Sequence, residues 1–298
     1  MSQALLEVKN LKKYFTLNGD LVNRIAGKTQ TLKAVDDISF HVNSGETLGL
    51  VGESGCGKST TGRLITRLIE PTDGEIRLKD EDLLAFDHQR MQAVRKDVQL
   101  VFQDPYSSLN PRKTIMQILS RPLEIHGLAD DWRTKRERVL ELLNLVGLGF
   151  EHIDRYPHEF SGGQRQRIAI ARALSVDPEL VIGDEPVSAL DVSVQAQILN
   201  LFRELQEKFQ LTYLFIAHDL SVVRHISDRV AVMYVGKIVE MGPVTEIFER
   251  PQHPYTKALM AAVPEADPYK PAPKLLLTGE IATPINPPPG CRLCKRCP

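Results

Sequence analysis

Short buried strands alternating with helices are predicted by the pattern of apolar and polar positions along this chain. Continuous apolar runs are typical of strands buried on both faces, whereas strict alternation of apolar and polar residues is typical of strands with one exposed face. Both patterns occur here, and they indicate an α/β protein. The predicted strands are residues 5–10, 37–43, 47–51, 75–79, 97–102, 180–185 and 213–217.

Helical periodicity dominates residues 114–175, where apolar side chains recur every three or four positions. One stripe contains Ile115, Ile118 and Leu119, and another runs from Val139 to Val146. We interpret this block as a helical subdomain inserted into the α/β core. Two further helices are predicted at residues 60–69 and 194–209.

Two other segments differ in composition from this core. Residues 18–30 form a polar, glycine-containing insertion, which predicts a surface loop. From Pro251 onward prolines are frequent and favour extended chain over helix, so residues 251–298 are interpreted as an appendage.

The composition excludes several classes of protein. The chain has 298 residues, 42% of them hydrophobic, which allows one large α/β domain and an appendage. Its formal net charge of -1 provides no basic field for nucleic acid or an anionic membrane. No apolar run is long enough to span a membrane, and residues 1–10 lack the layout of a signal peptide. We therefore expect a cytosolic chain.

A phosphate-binding loop is predicted at residues 52–59, where two glycines four residues apart are followed by Lys58 and Ser59. A strand precedes this stretch and a helix follows it, as such a loop requires. We expect Lys58 to reach the β- and γ-phosphates of a nucleotide and Ser59 to bind Mg²⁺. The expected nucleotide contacts are Gly52, Ser54, Gly55, Cys56, Gly57, Lys58, Ser59 and Thr60.

Polar residues follow three of the predicted strands, where α/β sheets place their ligand contacts. Asp184 and Glu185 end the strand at 180–185, Gln103 follows another strand, and His218 follows a third. Given a phosphate loop, we expect Asp184 to bind Mg²⁺ and Glu185 to accept a proton from water. The alternative is a pair of acids at a solvated strand end.

Two further features fit contact with a nucleotide. Ser161, Gly162, Gly163 and Gln164 open an apolar-striped helix, which is a second candidate phosphate contact or simply a helix cap. Tyr14 and Phe15 precede the polar insertion. Either aromatic ring could stack on a purine base, and a place in the core is equally consistent with the residue type.

In combination these residues resemble the ATP-binding-cassette family over roughly residues 5–250, with six motifs in the family's order. The resemblance implies that residues 52–59 are Walker A, Gln103 the Q-loop glutamine, and residues 161–164 the signature. Asp184 and Glu185 resemble Walker B with its catalytic base, Asp191 the D-loop aspartate, and His218 the switch histidine. By spacing Phe15 is the adenine-stacking aromatic, with Tyr14 the alternative. Gln103 joins Ser59 and Asp184 as an expected Mg²⁺ ligand.

The implied fold is a P-loop NTPase core of the cassette type, with an antiparallel β subdomain, an inserted helical subdomain and a C-terminal extension. Residues 1–250 are the expected nucleotide-binding domain, with the helical subdomain at about 105–175. Residues 251–298 are the extension. Two copies are expected to close head to tail on ATP. Water that Glu185 polarises, and that Gln103 and His218 position, then hydrolyses the nucleotide.

Several stretches resemble the ATPase subunits of oligopeptide and dipeptide importers. They are residues 102–111, residues 184–197 and the His253-Pro254-Tyr255-Thr256 motif. The resemblance implies an ATPase at the cytoplasmic face of the membrane that powers import of peptides or a related solute such as nickel. Its expected partners are a second cassette subunit, two permeases and, indirectly, an extracytoplasmic solute-binding protein. The alternative is a non-transport cassette ATPase acting on nucleic acid or ribosomes.

Cys291, Cys294 and Cys297 lie close together near the end of the chain, and no fourth ligand follows them at ferredoxin spacing. In the importers that this chain resembles, a C-terminal cysteine motif binds an iron-sulfur cluster. Cys291 and Cys297 match its first two cysteines, whereas Cys294 matches no usual ligand position. The resemblance therefore implies a [4Fe–4S] cluster, with a zinc site and free thiols as the alternatives.

Overall fold

The computed structural model describes residues 4–17, 30–262, 277, 282–287 and 290–297. These residues form two compact units. The described residues of 1–43, 47–84 and 217–298 belong to the first unit, and those of 44–46 and 85–216 belong to the second. Of the predicted insertion at 18–30, only Gln30 is among the described residues, and much of the proline-rich stretch also lies outside them.

The described chain alternates strands and helices. The strands are β1 (Ala4–Leu17), β2 (Gln30–Asn43), β3 (Thr47–Val51), β4 (Asp73–Leu78), β5 (Glu81–Asp82), β6 (Val98–Val101), β7 (Leu180–Asp184), β8 (Thr212–Ala217), β9 (Arg229–Tyr234) and β10 (Lys237–Pro243). The helices are α1 (Lys58–Ile65), α2 (His88–Val94), α3 (Pro105–Ser108), α4 (Ile115–Ile125), α5 (Trp132–Leu145), α6 (Gly162–Leu174), α7 (Val192–Phe209), α8 (Leu220–Ile226), α9 (Val244–Glu249) and α10 (Pro254–Ala261).

The first unit contains an antiparallel sheet in the order β2-β1-β4-β5, together with β3, β9 and β10. Strand β9 pairs in parallel with β3 and antiparallel with β10. Strands β1 and β2 are longer than their alternation predicts. The prediction for β1 stops at Asn10 and that for β2 begins at Asp37, which have positive φ values of 48° and 65° beside a shift in register. Leu17 and Gln30 pair with each other across the two strands.

The second unit contains the parallel strands β6, β7 and β8, with β7 in the middle. The predicted helical stripes are buried, and helices α4, α5 and α6 pack against one another. Phe202 of α7 meets Tyr213 and Phe215 of β8 edge to face, with ring centroids 5.4 and 5.6 Å apart. These contacts fix β8, which pairs with β7; the predicted site residues lie at the carboxyl ends of both strands.

Among the described residues, no helix combines the length and the apolar character that crossing a membrane requires.

Candidate functional site

The predicted phosphate loop joins β3 to α1 in the first unit. Gly57 has a φ of 113°, and a Cβ atom there would lie 2.2 Å from the carbonyl oxygen of Ala34. A Cβ on Gly52 would lie 2.1 Å from the carbonyl oxygen of Met233. Both close approaches are to backbone, which cannot move aside as a flexible side chain can. The loop therefore requires glycine at both positions.

Lys58 is the first residue of α1 and is only 4% exposed. Its ammonium group donates hydrogen bonds to the carbonyl oxygens of Gly52 and Glu53, at 2.8 and 3.1 Å. The positive charge therefore lies inside the loop, at the positive end of a helix dipole. Burial raises the pKa of the neighbouring Cys56 thiol, although the charge of Lys58 opposes this shift.

The remaining predicted contacts of the loop differ in exposure. Ser54 and Gly55 are exposed, and Ser59 and Thr60 are half-buried in the first turn of α1. A hydroxyl group at the beginning of this helix is suitable both as a phosphate donor and as a cation ligand.

Tyr14 and Phe15 are half-buried near the end of β1. The hydroxyl of Tyr14 donates a hydrogen bond to the carboxylate of Asp36, and the Lys33 ammonium lies 5.0 Å from the centre of its ring. The Phe15 ring carries no polar group, and the Lys13 ammonium lies 5.0 Å from its centre. Tyr14 is thus fixed within the protein by its polar end.

His218 follows β8 in the first unit and is exposed. The next residue, Asp219, caps helix α8 by accepting a hydrogen bond from the Ser221 backbone at 2.8 Å. This cap fixes the turn from which the His218 side chain projects.

Strand β7 of the second unit ends in the two predicted acids. Asp184 is 2% exposed, and Glu185 is half-buried. Glu185 has a φ of 49°, in the left-handed region, and its N–H donates to the carbonyl of Ile216 at 2.9 Å. A non-glycine residue held in this conformation costs on the order of 1–3 kcal/mol, and such residues cluster at functional sites.

The structure brings Gln103 and Glu185 together. The Gln103 amide donates a hydrogen bond to the Glu185 carboxylate at 3.1 Å, across 82 positions of sequence. Strands β6 and β7 are parallel neighbours, so the residues that follow them meet at one sheet edge, as the sequence predicts. A side-chain amide held against a carboxylate can orient a water molecule between them and a substrate.

Residues 161–164 open helix α6 with a reciprocal cap. The Ser161 N–H donates to the Gln164 side chain at 3.0 Å, and the Gln164 N–H donates to the Ser161 hydroxyl at 3.3 Å. Ser161 is exposed and Gly162 and Gly163 are half-buried, so the first turn of α6 is accessible.

Asp191 is exposed and begins helix α7, and its segment lies against the first turn of α6. A Cβ on Gly162 would lie 3.3 Å from Leu190, and one on Gly163 would lie 2.5 Å from Val194. The two glycines therefore let α6 approach the segment that contains Asp191.

The three C-terminal cysteines are exposed thiols. Within the part of the chain that the structure describes, which includes all three, no three His, Cys, Asp or Glu side chains are grouped so that they could hold a metal ion. The donor set therefore does not fit the predicted [4Fe–4S] cluster or a zinc site, and the cluster prediction is not supported.

Two contacts to the phosphate loop were not predicted from the sequence. The Tyr255 hydroxyl accepts a hydrogen bond from the N–H of Glu53 at 3.0 Å, and Arg296 lies 3.4 Å from the Glu53 carboxylate. Tyr255 is fully buried against Tyr234. The His253-Pro254-Tyr255 motif was a signal for the first contact, whereas no pattern indicated the second.

Comparisons with known proteins agree with these features. A family model described as ABC transporter matches residues 35–188, and one described as the C-terminal region of oligopeptide/dipeptide transporters matches residues 239–298. The oligopeptide transport ATP-binding protein AppF of Bacillus subtilis is 53% identical over 99% of this chain and 90% of its own length. The dipeptide transport ATP-binding protein DppF of Escherichia coli is 51% identical over 100% of this chain and 87% of its own.

A solved structure is also similar. It is the ATP-binding cassette MJ0796, determined as a dimer in a post-hydrolysis state with ADP and inorganic phosphate. Its TM-score is 0.70 at 28% identity, covering 80% of this chain and 98% of that one.

Proposed function

This chain belongs to the ABC transporter family, and on that premise we propose that it is the ATP-hydrolysing subunit of an importer of oligopeptides or dipeptides. The observation that supports this best is the similarity to peptide-transport ATP-binding proteins, which are 53% and 51% identical to this chain over nearly its whole length. The match of residues 239–298 to the C-terminal region of such transporters adds to it, because that region lies beyond the cassette motifs.

In this proposal the first unit binds the nucleotide. The Lys58 ammonium and the backbone N–H groups of the phosphate loop hold the β- and γ-phosphates. Phe15 stacks on adenine, because the polar end of Tyr14 is already bonded to Asp36. From its exposed turn, His218 helps to position the water that attacks the γ-phosphate.

The second unit supplies the groups for hydrolysis. Glu185 takes a proton from the attacking water, and Gln103, which is bonded to Glu185, orients that water. Gln103 and Asp184 of this unit offer amide and carboxylate oxygens, and Ser59 of the first unit offers a hydroxyl; these oxygen donors are the type that Mg²⁺ prefers. When bound, the cation neutralises charge on the phosphates.

A second cassette subunit completes each site in this proposal. The accessible first turn of α6, residues 161–164, contacts the γ-phosphate bound to the partner's phosphate loop, with Asp191 beside it. Closure on ATP and release after hydrolysis then drive two permease subunits, which receive cargo from an extracytoplasmic binding protein.

Residues 103–116 are the proposed surface toward the permeases, at the cytoplasmic face of the membrane. Tyr106 in this segment is 59% exposed, and the guanidinium of Arg165 lies 4.9 Å from its ring centre. An exposed aromatic side chain held by an arginine is typical of residues that anchor protein interfaces.

The substrate class is tested by uptake in cells that lack other peptide importers. We expect deletion of this chain to abolish uptake of a labelled oligopeptide and to leave nickel uptake unchanged, with full restoration by the wild-type chain. Loss of nickel uptake with normal peptide uptake would contradict the proposal.

Replacing Ser161 with Ala separates the role of the α6 cap in stability from its role in hydrolysis. We expect the change to cost about 1 kcal/mol of folding free energy, as loss of a helix cap does. ATPase activity should fall at least roughly tenfold, because a phosphate contact is removed as well. Thermal unfolding and steady-state hydrolysis measure the two effects.

Asp131→Ala is the matched control, since Asp131 caps α5 through the Thr134 N–H at 3.0 Å and is remote in sequence from the signature. It should lose similar stability and keep its ATPase activity. Equal loss of activity in the two variants would assign Ser161 a purely structural role.

A further inference from the structure

In residues 290–297, which we call the C-terminal segment, the side chain of Arg292 is buried and the three cysteine side chains are exposed. Arg292 is 7% exposed and Leu293 only 1%, whereas the three cysteine side chains are exposed. Long charged side chains are almost never buried unless they are paired. The contacts of Arg292 therefore indicate what this segment does.

Arg292 is paired within the first unit. Its guanidinium donates one hydrogen bond to the carbonyl of Val235 and another to the carboxylate of Asp36, which is itself 7% exposed. The Lys33 ammonium lies 3.9 Å from the same carboxylate oxygen. A buried ion pair that also satisfies a backbone carbonyl fixes the position of both partners.

Asp36 connects this ion pair to Tyr14. One carboxylate oxygen accepts from Arg292, and the other accepts from the hydroxyl of Tyr14. Burial alone would raise the pKa of Asp36, but the bond from Tyr14 and the charge of Arg292 outweigh it and hold that pKa below its ordinary value. Burial and the bond to Asp36 raise the pKa of Tyr14 to about 12. The carboxylate stays ionised and the hydroxyl protonated at neutral pH.

Tyr14 lies where β1 and β2 approach the phosphate loop. It pairs with Lys33, and the next residue on β2, Ala34, is the one whose carbonyl leaves no space for a Cβ on Gly57. Phe15 follows Tyr14 directly in β1. A shift in register separates Lys13 from Tyr14, so regular pairing alone does not fix this end of the strand.

We propose that Arg292 is a positioning residue for nucleotide binding, because it holds the end of β1 that presents Phe15 to adenine through Asp36 and Tyr14. This inference depends on the proposed function, since it assumes that Phe15 and the phosphate loop bind ATP. It gives the C-terminal segment a role that needs no metal: the segment inserts an arginine beside the base-binding end of the site.

The test compares ATP with inorganic triphosphate, which has the phosphates and no base. In the full chain, we expect Arg292→Ala to weaken ATP binding about tenfold, a factor typical for loss of a hydrogen bond to a charged group. Triphosphate affinity should change less than about twofold. KM for ATP should rise by a similar factor while kcat stays nearly unchanged, because the lost interaction stabilises the bound substrate and the transition state equally. Lys295→Ala, an exposed basic residue of the same segment, is the matched control and should behave as wild type.

Tyr14→Phe removes the hydroxyl and keeps the ring, so it breaks the same connection without leaving a buried charge unpaired. We expect Tyr14→Phe to lower the affinity for ATP and not that for triphosphate. Adding Arg292→Ala to Tyr14→Phe should lower the ATP affinity by less than a further factor of about two, because both changes break the same connection through Asp36. If Arg292→Ala fails to fold, Tyr14→Phe measures the connection by itself.

Any of three results would overturn the inference. The first is unchanged ATP affinity in both single variants, and the second is an equal loss of ATP and triphosphate affinity. The third is a double variant whose loss of ATP affinity equals the product of the two single losses. Each presupposes a wild-type chain that binds ATP. A wild-type chain with no affinity for ATP would refute the proposed function instead, so the two failures are distinguishable.

Discussion

Glu185→Gln should lower steady-state ATP hydrolysis by roughly 10²- to 10⁴-fold, the range that general-base catalysis contributes. The substitution preserves size and leaves an amide oxygen that can still accept the 3.1 Å hydrogen bond from Gln103. Only the ability to take a proton from water is lost. ATP binding should therefore stay within about twofold of wild type, because Glu185 is assigned no part in binding the ground state.

The same variant should accumulate as an ATP-bound dimer, since hydrolysis is the step that we propose releases the closed pair. Size-exclusion chromatography with Mg²⁺ and ATP measures this, alongside the rate of phosphate release. Glu141→Gln is the control, because Glu141 is an exposed carboxylate of the same unit that pairs with Arg138 on the surface of α5. Undiminished hydrolysis by Glu185→Gln would refute the assignment of the base.

Lys58→Ala should weaken ATP binding by at least about 50-fold. Each hydrogen bond from a charged group contributes roughly 1.5–3 kcal/mol, and the ammonium is expected to contact both the β- and the γ-phosphate. In the structure its donors bond to the carbonyl groups of Gly52 and Glu53, so the charge already lies within the loop. Little reorganisation is needed when phosphate arrives.

Equilibrium binding of a fluorescent ATP analogue measures this loss. Lys9→Ala is a suitable control because it removes a surface lysine whose pairing with Glu7 is worth little. Thermal unfolding should show that Lys58→Ala still folds, since its two carbonyl partners can bond to water. Normal affinity in a folded Lys58→Ala variant would exclude residues 52–59 as the phosphate site.

The sequence predicted those parts of the fold whose signal is local. The apolar run at 47–51 coincides with β3, and the resemblance to cassette ATPases is confirmed by the family models and relatives. Strand β1 was predicted only to residue 10 because the positive φ of Asn10 reverses the phase of the alternation. A periodicity of two cannot be followed across such a bulge.

The contacts of the candidate site were likewise predictable only where a general rule of sheet structure applies. The contact between Gln103 and Glu185 followed from a general property of parallel sheets, namely that neighbouring strands end at one edge. The contact of Arg292 with Asp36 spans 256 positions and follows from no repeating pattern. The cysteine pattern led to a metal site being predicted in this segment, and that prediction is not supported; the residues buried there are Arg292 and Leu293.

Leu17 and Gln30 pair side by side, so the chain leaves β1 and returns to β2 at nearly the same point. A flexible insertion between two paired ends costs about 0.6 kcal/mol of closure entropy for each doubling of its length. A peptide tag could therefore be spliced into residues 18–29 without stretching either strand. A dye on that tag would be tethered a few residues from Phe15, close enough to report the arrival of nucleotide in real time.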